Sequence, residues 1–193
     1  WYAPALNVAA EAGVAHWPVE AVVALLKTGV APQGSVTGPM AEVVFRSTQY
    51  LSDADAQAIA VYLRALPQRA IAPAEVVKPS AATLERGAKV YEQHCAQCHG
   101  DNGEGKPGAF PALAGNRAVV LQDPTNLVRV VLQGGYLPAT AGNPRPHGMP
   151  PFMQVLGDDD VAAVSTFVRN AWGNQASAVG TIGVYRARER RGS

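Results

Sequence analysis

The sequence has few cysteines, little charge and no long apolar run. Two of its 193 residues are cysteine, too few for the disulfide framework of a small secreted domain. Charged residues make up 16% and the formal net charge is +1, so the composition does not indicate a nucleic-acid partner. No uncharged apolar stretch reaches the roughly 18 residues of a membrane-spanning helix. Hydrophobic residues make up 48%, enough for one large domain or two small ones.

The chain begins at Trp1, without an initiator methionine or a basic segment followed by an apolar one. We therefore expect Trp1 to be the start of a processed or truncated chain, from which no export signal can be read.

Both cysteines lie in one short motif, Cys95-Ala-Gln-Cys98-His99. This Cys-x-x-Cys-His spacing predicts covalent attachment of one c-type haem. The two thiols add to the haem vinyl groups, and the imidazole becomes the proximal ligand of the iron. The segment 82–94 has helical periodicity, and Gly87 would let that helix approach a neighbour closely.

Two other interpretations of the motif compete with haem attachment. A redox-active dithiol also has Cys-x-x-Cys spacing, but it usually follows a strand, and no strand pattern precedes Cys95. Half of a zinc site would need a second pair of ligands, and His16, His94 and His147 do not form one with suitable spacing. The sequence therefore favours haem.

The sixth ligand of the iron should lie downstream, on a loop that covers the other haem face. Met149 is the best candidate because Gly148 permits close approach and the two following prolines fix the backbone. Its thioether is a soft ligand that raises the reduction potential. His147 is the rival ligand, and coordination by two imidazoles would lower the potential.

Two further residues are candidates for supporting the haem. The proximal imidazole needs a partner for its second nitrogen, and the segment around Pro111 can supply a backbone carbonyl. Arg145 is placed to pair with a haem propionate, with an exposed surface arginine as the alternative.

Helical patterns recur along the chain and strand patterns are scarce, so we expect an all-α protein. Cap and stop signals predict helices that start after Trp17, Ser52 and Asp123 and end at Gly29, Leu66 and Gly134. A further helix is expected over 158–172, and the Gly- and Pro-rich segment around Met40 is expected to be a loop. The first 68 residues repeat the organisation of the later part: Pro18 matches Pro124, Met40 matches Met149 and Asp53 matches Asp159, at nearly constant offset.

The repeat is incomplete, because too few residues precede Pro18 to hold a haem motif. We expect an upstream haem-attachment half to be lost or to lie outside this sequence, with Met40 as a possible axial ligand of a second haem. The alternative is that Met40 is an ordinary core residue of a haem-free helical domain.

These patterns divide the chain into four parts. A partial domain over 1–68 is followed by an Ala- and Pro-rich linker over 69–81, a haem domain over 82–174 and a tail over 175–193. We expect the tail to be flexible, or alternatively to dock on a partner or an anionic membrane surface. Its basic residues are Arg186, Arg188, Arg190 and Arg191.

Several stretches together resemble a known group. Residues 95–105 (CAQCHGDNGEG), 110–116 (FPALAGN) and 139–152 (ATAGNPRPHGMPPF) resemble the last haem domain of the multihaem cytochrome c subunits of membrane-bound dehydrogenases. Residues 25–29 (LLKTG), 38–44 (GPMAEVV) and 47–53 (STQYLSD) are similar to the back half of the preceding haem domain.

This resemblance implies a class I cytochrome c-like haem domain and a second, incomplete cytochrome c-like domain. It implies thioether attachment at Cys95 and Cys98, axial ligation by His99 and Met149, and a match of Met40 to the distal ligand of the preceding haem. Members usually hold three haem motifs, whereas this chain has one.

The resemblance also implies a function. The chain would be an electron-transfer subunit rather than an enzyme, and would relay electrons from the catalytic subunit of a periplasmic alcohol-, gluconate- or aldehyde-type dehydrogenase. The acceptor would be quinone or a terminal oxidase, at the outer face of the cytoplasmic membrane. A peroxidase-like haem enzyme, or a gas or redox sensor with a displaceable distal ligand, is the alternative.

Overall fold

The computed structural model describes residues 1–72 and 75–189, which are mostly helical. The helices are α1 (Val19–Thr28), α2 (Pro39–Arg46), α3 (Asp53–Ala65), α4 (Ala81–His94), α5 (Ala96–His99), α6 (Arg117–Val120), α7 (Thr125–Gln133), α8 (Asp158–Val168) and α9 (Thr181–Glu189), with a 3-10 turn at Thr48–Tyr50. Two antiparallel ladders join β1 (Val30–Ala31) to β2 (Gly34–Ser35) and β3 (Gly135–Tyr136) to β4 (Gly148–Met149). The helical class is confirmed; these ladders, with strands of two residues, are too short to show an alternating sequence pattern.

Several helix ends lie where the sequence places them. Helix α1 ends at Gly29, which has the left-handed φ of +77° typical of a helix C-terminus. The Ser52 hydroxyl accepts a hydrogen bond from the Asp55 N–H at the start of α3. The Asp123 carboxylate likewise accepts from the Thr125 N–H, at 2.8 Å, where α7 begins.

Two boundaries differ from the sequence analysis. The Gly- and Pro-rich segment around Met40 was expected to be a loop, but Pro39 occupies the first turn of α2, a position that suits its fixed φ. Helix α8 was expected to reach Trp172 but ends at Val168. Trp172 has a φ of +54°, outside the helical region.

We call residues 1–68 the N-terminal unit and residues 81–189 the C-terminal unit. In the C-terminal unit, α4 packs closely against α8 at Gly87. A Cβ atom at Gly87 would overlap the Ala163 carbonyl oxygen and lie 2.6 Å from Phe167 Cβ, so the expected close approach is confirmed. Tyr91, Phe167 and Trp172 form an aromatic cluster beside this contact, with ring centroids 4.9–5.5 Å apart.

The expectation of a flexible tail is wrong for the described part of that segment. Helix α9 packs on α7 and α8, with Val184 fully buried. Arg188 pairs with Asp158 at 2.7 Å and donates to the Leu156 carbonyl oxygen at 2.9 Å. The sequence pattern missed the helix because its apolar stripe is narrow and one of its anchors is a charged residue. Arg190 and Arg191 lie outside the described residues.

The N-terminal unit has its own small core and contacts the C-terminal unit. Trp17, Val22 and Ala60 are buried within that core. The guanidinium of Arg117 lies 4.9 Å from the centroid of the Trp17 ring and donates to the Gly13 carbonyl oxygen. The Asn126 side chain pairs with the backbone N–H and carbonyl of Tyr2, at 2.9 and 2.8 Å.

The described part of the linker is bonded to the C-terminal unit. The Val77 N–H donates to the Ser177 hydroxyl at 3.2 Å, and the Ala178 N–H donates to the Val77 carbonyl oxygen at 2.9 Å. Across residues 1–72 and 75–189, no helix is both long and apolar enough to cross a bilayer.

Candidate haem-binding site

The Cys-x-x-Cys-His motif forms the turn that ends α4 and begins α5. The N–H groups of Cys98 and His99 both donate to the Cys95 carbonyl oxygen, at 3.1 and 2.9 Å. This turn brings the side chains of Cys95 and His99, four residues apart, to the same side. Gly100 follows with a φ of +79°, which allows the chain to turn away from the helix.

His99 is oriented by the loop that follows it. Its side chain is buried, and its Nδ1 lies 3.0 Å from the Pro111 carbonyl oxygen. Donation from Nδ1 to this carbonyl leaves Nε2 unprotonated and available to a metal. Burial lowers the pKa of His99, against the smaller opposite effect of the Pro111 hydrogen bond. Burial therefore favours the neutral form of the imidazole, which is the form that binds a metal.

His99 and Met149 line the same cavity, although they are far apart in the sequence. Most of its remaining wall is apolar and comes from the loop after α5 and from α6, α7 and α8. These residues are Leu113, Val119, Leu127, Val130, Val131, Val164 and Val168. Such a wall suits a flat apolar macrocycle and keeps water from a bound metal.

Met149 is positioned by backbone contacts with the end of α7. In the β3–β4 ladder Met149 pairs with Gly135. Gly134 has a φ of +72°, and a Cβ atom there would overlap the Met149 carbonyl oxygen. After the prolines, the Phe152 N–H donates to the Val131 carbonyl oxygen at 3.1 Å. These contacts fix the segment on both sides of Met149.

His147 and Arg145 are both exposed and do not line the cavity. The His147 ring packs instead against Phe110, with centroids 4.8 Å apart. The geometry thus favours Met149 over His147 as the distal ligand. The predicted pairing of Arg145 with a haem propionate stays a prediction.

The thiols do not resemble a redox-active pair. Cys95 and Cys98 are half-buried and are not bonded to each other. Burial raises the pKa of Cys95 to about 11, with a further contribution from Cys98, whereas reactive dithiols have a lowered pKa. The described residues also contain no group of three or more His, Cys, Asp or Glu side chains arranged to hold a metal ion.

The residues present fit a c-type haem. They offer two adjacent thiols, an imidazole with its second nitrogen already bonded, a thioether and apolar walls. The buried Ser165 hydroxyl, which also lines the cavity, has no hydrogen-bond partner among the described residues. An unpaired polar atom in a cavity wall indicates that the cavity holds something other than packed side chains.

Sequence reasoning missed the polar part of the lining. Its members besides His99 are Ser35, Thr37, Asn116, Asn126 and Ser165. The first two belong to the N-terminal unit, and nothing local in the sequence connects them with the motif. Only Asn116 could have been singled out from the sequence, because an Asn before a helical segment predicts an N-cap. Its side chain does accept a hydrogen bond from the Ala118 N–H.

Met40 lies outside this cavity, on α2, with 53% of its surface exposed. The interpretation of Met40 as an ordinary core residue is therefore wrong. Its assignment as an axial ligand stays a prediction.

Comparison with known proteins identifies the family. The family described as Cytochrome c matches residues 84–172. Cytochrome c-552 of Thermus thermophilus is 37% identical over 97 residues, which cover 49% of this chain and 73% of that protein.

Longer relatives match nearly the whole chain. The cytochrome c subunit of a quinone alcohol dehydrogenase from Gluconobacter oxydans is 39% identical over 91% of this chain and 38% of its own length. The cytochrome subunit of a fructose dehydrogenase from Gluconobacter japonicus is 31% identical over 97% of this chain and 44% of its own length. The chain thus spans less than half the length of these subunits. It belongs to the cytochrome c family and carries covalently attached haem c.

Proposed function

We propose that this chain transfers electrons through a haem attached at Cys95 and Cys98 and ligated by His99 and Met149. The observation that carries the proposal is that the neutral, oriented imidazole and the thioether line one apolar cavity. The bound haem supplies a one-electron couple, and with both axial positions occupied by the protein it does not readily bind oxygen or peroxide.

The protein's own residues have distinct tasks in this function. The Pro111 carbonyl fixes the tautomer and the orientation of His99. The ladder and the Gly134 contact hold Met149 in place, and a Met ligand favours a higher reduction potential. The apolar walls keep water and solutes from the iron, which favours electron exchange over binding of an external ligand.

The proposal extends to a partner. The relatives named above are subunits of alcohol and fructose dehydrogenases, so we expect this chain to accept electrons from the catalytic subunit of a periplasmic dehydrogenase. We expect quinone or a terminal oxidase as the acceptor, at the outer face of the cytoplasmic membrane. Rapid mixing of the oxidised protein with its reduced dehydrogenase should reduce the haem. If no cognate dehydrogenase reduces it, the proposed partner is wrong.

Spectroscopy of the purified protein tests the ligand assignment. The reduced form should show a c-type spectrum, and the ferric form should show the weak far-red band of sulfur ligation. The variant Met149→Leu should lose that band, whereas Met153→Leu should keep it because Met153 lies outside the cavity lining. A protein without haem would refute the function. Carbon monoxide binding to the unaltered reduced protein would favour the sensor or enzyme alternative.

The N-terminal unit is proposed to be the back half of a second haem domain. At the offset that matches Asp53 with Asp159, helix α3 corresponds to helix α8. In α8, the positions Ala163 and Phe167 contact Gly87 of the haem-attachment helix. The position of α3 that matches Phe167 is Val61, which is 56% exposed. Helix α3 thus leaves open the face that α8 covers with α4.

Mass analysis of the natural polypeptide tests this second proposal. We expect sequence upstream of Trp1 with a second Cys-x-x-Cys-His motif, and more than one haem per polypeptide. A natural polypeptide that begins at Trp1, or one with a single haem, would refute it. In the same protein, Met40→Leu should remove one sulfur-ligated ferric signal and leave that of Met149.

A further inference from the structure

The cavity around His99 and Met149 has a polar rim at the boundary between the two units. Ser35 and Thr37 reach it from the N-terminal unit, and Asn116 and Asn126 reach it from α6 and α7. A haem has the same division, because its ring is apolar and its propionate carboxylates lie on the edge opposite the vinyl groups that bond to cysteine. A carboxylate placed in this cavity needs hydrogen-bond donors, since its burial without them is costly.

The two asparagine side chains already have partners. Asn116 donates from Nδ2 to the Ala112 carbonyl oxygen at 2.8 Å and to the Ser35 hydroxyl at 3.4 Å. Asn126 donates from Nδ2 to the Tyr2 carbonyl oxygen. Both Nδ2 hydrogens of Asn116 are therefore engaged, whereas Asn126 keeps one. Besides that N–H, the rim offers the hydroxyl groups of Ser35 and Thr37 as donors.

Ser35 and Thr37 supply those hydroxyl groups. The Ser35 oxygen accepts from Asn116, which leaves its own hydrogen to donate elsewhere. Thr37 also lines the cavity, and its hydroxyl is a second group on the rim that can donate a hydrogen bond. A hydrogen bond from either hydroxyl to a carboxylate is charge-assisted and stronger than one between neutral groups.

The rim is held in place by the contact between the units. Ser35 lies in the β1–β2 hairpin, where it pairs with Val30. In the turn of the same hairpin, the Gln33 carbonyl oxygen accepts from the Arg117 N–H at 3.0 Å. Arg117 also stacks on Trp17 at 4.9 Å. The hairpin is thus anchored directly beside α6, with its hydroxyls at the cavity.

We propose that Ser35 and Thr37 donate hydrogen bonds to the haem propionates, so that the N-terminal unit completes the binding site of the haem attached to the C-terminal unit. This inference rests on the proposed haem attachment and adds residues from the other unit to it. Donors on the propionates reduce the negative charge that the iron experiences. They therefore favour the reduced state and raise the midpoint potential.

The test compares hydroxyl variants of the intact haem protein. Ser35→Ala combined with Thr37→Val should lower the midpoint potential at fixed pH. It should also shift the propionate carboxylate band to higher frequency in redox infrared difference spectra. Thr37→Ser keeps the hydroxyl, and Ser47→Ala removes an exposed hydroxyl elsewhere on the N-terminal unit; both should match the unaltered protein. An unchanged potential and an unchanged carboxylate band in the double variant would overturn the inference.

A second variant separates hydrogen bonding from the contact between units. Arg117→Lys keeps the positive charge and both hydroxyls but loses the donor geometry toward Gly13. The backbone N–H of residue 117 can still bond to the Gln33 carbonyl oxygen, so the hairpin should stay beside α6 and the carboxylate band should not move. If Arg117→Lys shifts the band as the double variant does, the contact acts by excluding water and the inference is wrong. Intact mass reports haem attachment independently, so a failure of the proposed function is recognised as missing haem.

Discussion

The position of Met149 depends on Gly134, so Gly134→Ala is expected to release the distal ligand. Gly134 ends α7 with a φ of +72°, and its Cα faces the backbone of the Met149 segment. A Cβ atom there would overlap the Met149 carbonyl oxygen and lie 3.0 Å from Pro150 C and from Pro151 N. Neither neighbour is a flexible side chain, and the prolines restrict how the segment can adjust.

The cost has two sources. The φ of +72° and ψ of −169° at Gly134 lie in a region almost restricted to glycine, which costs another residue about 1–3 kcal/mol. Relief of the overlap by a backbone shift costs about 1–3 kcal/mol. Movement of the Met149 segment away from the haem relieves the overlap. If about 2 kcal/mol of the cost is relieved in this way, the balance between bound and released Met149 changes by about 30-fold.

Ferric spectroscopy measures this change directly. Gly134→Ala should weaken the far-red band of sulfur ligation and tighten the binding of an external ligand such as imidazole by about the same 30-fold. Gly135→Ala is the matched control, because its Cβ would meet nothing within 4 Å and it pairs with Met149 in the same ladder. An unaltered band and unaltered imidazole affinity in Gly134→Ala would refute the reasoning.

Three further predictions concern stability and charge. Gly87→Ala should lower the free energy of unfolding by about 1–3 kcal/mol in chemical denaturation, because α4 must move off α8. Gly183→Ala on α9 should leave the free energy of unfolding unchanged, because the added Cβ meets open space. An equal loss in Gly183→Ala would contradict the packing argument. Arg188→Met should cost about 1–3 kcal/mol by leaving buried carbonyl groups and Asp158 unpaired, whereas exposed Arg186→Met should stay within about 0.5 kcal/mol. Lys27 holds the pKa of Asp53 below its usual 3.8 through a hydrogen bond and its charge. The pair therefore stabilises the fold above pH 3.8, and the stabilisation is lost as the pH falls through the lowered pKa of Asp53. Lys27→Met should raise the pKa of Asp53 as measured by NMR, and no change would show that the pair does not form in solution.

Much of the fold follows from local sequence signals, and the failures have identifiable physical causes. The ends of α1, α3 and α7 agree because caps act within a few residues of the chain. Helix α9 was missed because its stability comes from Val184 in the core and from the Arg188 contacts, which are tertiary features without a periodic pattern. The segment around Met40 was misassigned because a Gly-Pro pair is compatible both with a loop and with the first turn of a helix.

For the candidate site as well, some residues could be predicted from the sequence and others could not. The motif at Cys95 and the carbonyl of Pro111 lie within one short stretch of chain. A ligating imidazole needs a hydrogen-bond partner, and this requirement alone pointed from His99 to the loop around Pro111. The prediction of Met149 rather than His147 as the distal ligand rested on the flanking Gly and Pro residues, which allow close approach and restrict the backbone. The polar rim had no such route, because Ser35 and Thr37 reach the cavity through the contact between the units.

The proposed iron ligands and the hydroxyls of the rim influence the reduction potential of the haem in different ways. The two proposed ligands of the iron, His99 and Met149, both belong to the C-terminal unit, and they would determine the coordination of the haem. The two hydroxyls of the rim, on Ser35 and Thr37, come from the N-terminal unit, so they can change the charge around the haem without any change in those ligands. In a chain whose two units meet at a haem cavity, the contact between them is then an adjustable part of the electron-transfer site. Backbone contacts that position the hairpin, such as the hydrogen bond from the Arg117 N–H to the Gln33 carbonyl oxygen, would influence the potential without touching the haem.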